Sequence, residues 1–124
     1  MNKMNNLKYN TETVRILTHA KALISDKEHW IQNDFATNAN GKSILIGDDM
    51  ATNFCAVGAN QKAAGFGKSD ISRPYLVAAT YIMTLGAHSH IAKFNDSATH
   101  EEVMELFDIA IAWAIGADSV GMKL

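Results

Sequence analysis

Residues 99–114 read THEEVMELFDIAIAWA, and this stretch decides the fold class. Thr99 and Glu102 stand at capping-box spacing, where each side chain can satisfy the other's backbone N–H at a helix start. Glu101 and Glu102 also suit the positive end of the helix dipole. Val103, Leu106, Phe107, Ala110, Ile111 and Ala114 then recur at helical spacing. Gly116 offers a stop, and residues 117–124 follow as a frayed tail or one docked by Val120 and Met122. The spacing predicts an amphipathic helix, whose apolar stripe must be buried against other elements.

Working back from it, three further helices are expected. The first starts after Asn10 as N-cap, with Tyr9 and Val14 placed for a hydrophobic staple. Ile16, Leu17, Ala20, Leu23 and Ile24 carry its apolar face. The second spans residues 50–64, capped by Asp48 or Asp49 and closed by Gly65 and Gly67. It joins a bulky stripe (Met50, Phe54, Val57) to a stripe of small side chains that includes Ala51, Cys55, Gly58, Ala59 and Ala63. The third spans residues 72–85, with Pro74 in its first turn and Gly86 as its stop. Its apolar residues run nearly all round, which predicts a central core helix. Between the first two helices, Asn40-Gly41 is a turn signal and Ile44–Leu45–Ile46 is β-prone. A small hairpin pairing residues 35–37 with 43–46 is expected there. The fold class is therefore mainly α, a compact bundle of about four helices with a small β-hairpin between helices 1 and 2. It forms a single domain over residues 1–124, with residues 1–8 loose.

The composition agrees. A chain of 124 residues with 48% hydrophobic and 19% charged residues can fold around its own core. Eleven Lys and Arg face thirteen Asp and Glu, without a basic cluster, so neither nucleic acid nor an anionic membrane is an expected partner. The longest uncharged stretch, residues 74–92, is too broken by polar residues to be a membrane span. One cysteine, no apolar leader in residues 1–10 and no internal disulfide fit a cytoplasmic protein.

Four short pieces carry a resemblance: Trp30, residues 36–41, the run Phe54-Cys55-Ala56-Val57-Gly58-Ala59, and Phe94-Asn95-Asp96 leading into the last helix. With these, the chain resembles a family of small uncharacterised bacterial and phage proteins built around a domain of unknown function. The family's elements are aromatic-Cys-x-x-Gly-Ala and aromatic-Asn-Asp, on either side of a variable middle. Phe54 and Phe94 stand where the family often has Trp. The resemblance spans residues 17–114 and implies a compact helical domain without an established activity.

Several residues could carry chemistry. Cys55, then His88 or His90, then Asn95 or Asp96 follow the chain order of a thiol enzyme: nucleophile, base and orienting group. With Asn53 as N-cap, Cys55 would be the second helical residue, well placed for the dipole; with Asp49, which Met50 and Phe54 of the bulky stripe favour, it sits in the second turn, too far along for the dipole to activate it. Cys55 would then be a small buried packing residue. His88-Ser89-His90, with Asp96 and His100, could approach a metal, but no fixed ligand spacing follows and no metal or cofactor is assigned. Asn95 and Asp96 are either a polar ligand-binding spot or turn residues bonded to their own backbone. Trp30, near Asp34, Asp48 and Asp49, is either a ligand-holding aromatic or a plug at a helix end. The expectation is a non-enzymatic binding module for a small molecule or a partner protein, compatible with a homo-oligomer and, by analogy, with a phage accessory or anti-defence role. The alternative is a small cysteine-dependent hydrolase or transferase using Cys55, His88 or His90, and Asp96.

Overall fold

A computed structural model of the chain describes residues 2–65 and 67–120, with side chains described over 12–65 and 67–116. Among the described residues there are five helices and a two-stranded sheet. They run α1 (Asn2–Leu23), β1 (Ala36–Thr37), β2 (Asn53–Phe54), α2 (Ala56–Ala64), α3 (Ser69–Met83), α4 (Ile91–Ser97) and α5 (His100–Val120), with a 3-10 turn at Lys27–His29 after α1. The mainly helical class is as expected, with one helix more.

α5 starts as its capping box predicts. Thr99 N donates to Glu102 Oε1 at 2.8 Å, and Glu102 N donates to Thr99 Oγ1 at 3.1 Å. It does not stop at Gly116 but continues to Val120, and Met122 lies outside the described residues. α1 begins at Asn2 rather than after Asn10, so Asn10 is not its cap. Ile16, Leu17, Ala20 and Ile24 are buried, and α1 packs on both α2 and α5. Val103, Leu106, Phe107, Ala110 and Ala114 supply the facing stripe of α5. A Lys21–Asp108 ion pair of 2.6 Å lies across the α1–α5 seam. It adds little stability, because both groups meet water.

The second helix differs most from expectation. It starts at Ala56 and not at residue 50, because residues 52–55 are held in extended pairing. β1 and β2 are antiparallel, with Ala36 opposite Phe54 and Thr37 opposite Asn53. Thr52 N and Cys55 N extend the pairing to Thr37 O and Phe35 O. On its other side Phe54 O accepts from Ile31 N at 3.1 Å. The expected hairpin is thus only partly formed. Its turn exists, with Gly41 at φ 82° and Asn38 Oδ1 accepting from Asn40 N and Lys42 N. Beyond the turn, Ser43 makes only a single bridge to Thr37, and the strand partner of residues 36–37 is residues 53–54. The bulky stripe of Met50, Phe54 and Val57 does not form, since Met50 precedes the helix and is 66% exposed.

α3 is not a central helix. It buries Ser72, Tyr75, Leu76, Ala79 and Thr80 on one side. Ser72 Oγ donates to the buried Asn60 Oδ1 at 2.6 Å, fastening α3 to α2. On the other side Tyr81 is 56% exposed and Ile82 46%, and Leu85 just past the helix is 95% exposed. Pro74 lies in the second turn rather than the first, because the helix starts at Ser69. Its missing N–H falls on the solvent side, where water can serve the freed carbonyl. No helix among the described residues is long and apolar enough to cross a membrane.

Candidate functional site

Asn95 organises the region around α4. The side chain is fully buried, and all of its donor and acceptor capacity is used inside the chain. Its Oδ1 accepts from Trp30 Nε1 at 2.8 Å and from Ala56 N at 3.0 Å. Its Nδ2 donates to Ile31 O at 3.0 Å and to Asp96 Oδ1 at 3.2 Å. Gln32 Nε2 adds bonds to the carbonyls of Asn95 and Ala98. Asp96 Oδ1 also accepts from the N–H of Asn33, which sits at φ 65°, a conformation Asn tolerates better than most residues. Trp30 packs its ring against His100, with centroids 5.5 Å apart. Trp30, Asn95 and Asp96 therefore come together, and their mutual bonds tie residues 30–33 to α4 and to the start of α2.

Cys55 is the N-cap of α2. Its backbone is extended at φ −82° and ψ 178°, and Sγ accepts from Gly58 N at 3.4 Å. The thiol is only 3% exposed. Burial pushes its pKa up, because a thiolate would lose its water. The N–H groups of Gly58 and Val57 pull the other way, and the charge of Asp96 adds to the rise. A helix N-terminus usually activates a cysteine; here desolvation wins, and the thiol stays neutral at pH 7. Iodoacetamide should accordingly modify Cys55 slowly at pH 7, with the rate climbing only above the ordinary thiol range of about 8.5. A rate profile with its midpoint below pH 7 would contradict this.

Cys55 and Asp96 face a cleft of about 280 Å³ that is also walled by Asn33, Asp34, Phe35 and Ala92. Neither His88 nor His90 lines it. The two imidazoles lie in the segment before α4, with ring centroids 6.1 Å apart and His90 N donating to His88 Nδ1. Among the described residues no hydrogen bond joins Cys55 to an imidazole, and no group of three or more His, Cys, Asp and Glu could hold a metal ion.

His90 lines a second cleft, of about 470 Å³, with Phe35, Val57, Gln61, Arg73, Val77, Ser89, Ile91 and Ala92. A third cleft, of about 460 Å³, lies between α3 and α5 and is walled by Arg73, Pro74, Val77, Ala78, Tyr81, Ile82, Ser89 and Trp113. The first two clefts share Phe35 and Ala92. The second and third share Arg73, Val77 and Ser89. The three clefts are neighbours that share walls, and they pass from carboxylates and a thiol to an almost wholly apolar end. The residues of that apolar end were not singled out from the sequence. Their signal was there, in apolar residues on more faces of α3 than one core needs.

Fold and clefts together define a small helical domain with open surface clefts. The chain belongs to a family of unknown function, DUF6197, whose model matches residues 8–112. No curated protein and no solved structure gives a significant match.

Proposed function

We propose that the protein is a non-enzymatic binding module, and that the groove from Cys55 to Trp113 is its recognition surface for a small molecule. The carrying observation is the sharing of walls: Phe35 and Ala92 join the first cleft to the second, and Arg73, Val77 and Ser89 join the second to the third. The two larger clefts, of about 470 and 460 Å³, fall in the range of small-molecule sites, which are mostly apolar with a few placed polar groups. A cysteine hydrolase or transferase is the weaker reading. A thiol enzyme needs a base within reach, and the cleft beside Cys55 holds Asp34 and Asp96 but no imidazole.

Ala78→Trp tests the proposal, since a large side chain there fills the α3–α5 cleft. Ligand-observed magnetic resonance with a set of aromatic and aliphatic fragments should give saturation transfer with the wild-type chain and lose most of it with the variant. Equal signals from both, or none from either, would remove the groove as a binding surface. A stable dimer that Ala78→Trp turns into monomers would replace the small molecule with a second copy of the chain.

A further inference from the structure

Building on the groove as a recognition surface, we infer that its α3–α5 end takes a small amphipathic monoanion. A flat apolar body lies between Tyr81, Ile82 and Trp113, and an acidic head meets the guanidinium of Arg73. Charge carries the inference. The walls of the two larger clefts contain no Asp or Glu, although the chain has more acidic than basic residues. Arg73 lines both, at the boundary where the apolar cleft meets the more polar one. It makes no ion pair among the described residues, and of the cations that make none there (Lys27, Lys42, Lys62 and Lys93 besides it) Arg73 alone stands in these walls. Guanidinium is charged at every accessible pH, and its fork of donors matches a carboxylate or sulfonate. The cleft beside it offers aromatic faces and a volume of about 460 Å³, enough for a one- or two-ring body. A neutral apolar ligand would leave Arg73 unused, and a dianion would find no second fixed cation in these walls.

The test uses two probes of the same ring system. Anilinonaphthalene sulfonate carries the negative head, and phenylnaphthylamine lacks it. Trp113 lines the cleft, so energy transfer from its emission reports occupancy, and Trp113→Phe identifies that signal. Both probes should bind the native chain at one site, the sulfonate more tightly, and Ala78→Trp should block both. Arg73→Gln should weaken the sulfonate roughly fivefold, the screened worth of a charge-assisted bond at an exposed site. It should leave the neutral probe unchanged, and Arg73→Lys should recover part of the loss. Added salt should weaken the sulfonate alone. If Arg73→Gln leaves the sulfonate unaffected, or weakens both probes alike, Arg73 is not the anion partner while the groove still binds. If neither probe binds the native chain, the groove itself fails as a site.

Discussion

Asn95→Ala should cost the fold about 3–4 kcal/mol, measured as a lowered urea midpoint with an unchanged slope, since each orphaned buried polar group costs about 1–3 kcal/mol. Four groups lose a bond; Asp96 Oδ1 keeps the N–H of Asn33, and the other three are stranded. Ala56 N belongs to a fully buried residue and would face no acceptor. Ile31 O loses the amide donor, and Trp30 Nε1 loses its acceptor. Trp30 and Ile31 are only half-buried, so water can partly replace what they lose. The three losses therefore do not simply add. Against a typical stability of about 5–15 kcal/mol, such a loss leaves a chain that unfolds readily on warming.

Asn95→Asp separates the donors from the acceptors. A carboxylate there still accepts from Trp30 and Ala56, but it cannot donate to Ile31 O and it faces Asp96. Burial and the like charge raise its folded pKa. The sign follows from linkage: the protonated acid fits the folded site, so the deficit is least below the unfolded Asp value of about 3.9 and grows as pH rises through it. A variant chain whose stability relative to wild type improves toward neutral pH would contradict this account, as would an Asn95→Ala chain within 1 kcal/mol of wild type, the size of one ordinary hydrogen bond.

That Asn95 holds the middle of the molecule together was not legible from its neighbours in sequence. Asn-Asp before Ser-Ala-Thr looks like a turn, and α4 has only seven residues. Its buried positions, Ile91, Phe94 and Asn95, do keep helical spacing. A polar residue among them hides the pattern, because its partners are Trp30, Ile31 and Ala56, far away in the chain. α5 was legible for the opposite reason. Its cap is reciprocal and local, and its stripe is apolar throughout.

The misplaced start of α2 has the same physical origin. Asp48 and Asp49 are strong N-cap types, and cysteine is not among the preferred caps. Asp48 does cap something: its Oδ1 accepts from Met50 N at 2.8 Å, closing a turn rather than a helix. What stops a helix there is pairing with residues 35–37, a contact that local propensity cannot foresee. α3 carried an ambiguity of another kind. Apolar residues on every face predict burial, yet periodicity cannot tell a covered face from one held open, and the open face became the wall of the groove.

Gly58→Ala sets local preference directly against tertiary contact. Gly58 lies within α2, where alanine is favoured over glycine by about 1 kcal/mol, so propensity alone predicts a more stable protein. A Cβ at this position would meet the carbonyl oxygen of Phe35 at 2.1 Å and its carbon at 3.0 Å. That neighbour is backbone and cannot rotate aside. It is also held in place, because Phe35 O accepts from Cys55 N at 3.3 Å. To admit the methyl, the chain at Phe35 must move off α2, which stretches the bond at the helix cap and strains the β1–β2 pairing. Overpacking of this kind costs about 1–3 kcal/mol, and with unyielding backbone at 2.1 Å the upper end applies. After the gain in propensity, a net loss of about 2 kcal/mol is expected in urea unfolding. Gly116→Ala provides the contrast, since nothing lies within 4 Å of a Cβ there and the residue is inside α5. It should be neutral or gain up to about 1 kcal/mol. Cys55 supplies an independent reading of the same event. If Phe35 is pushed outward, the wall it shares with Cys55 opens, and the thiol should react faster with iodoacetamide in Gly58→Ala than in wild type at equal pH. Stabilisation of both glycine variants, with Cys55 as slow as before, would mean that α2 does not lie against Phe35 and that the Cys55 end of the groove lacks the wall described for it.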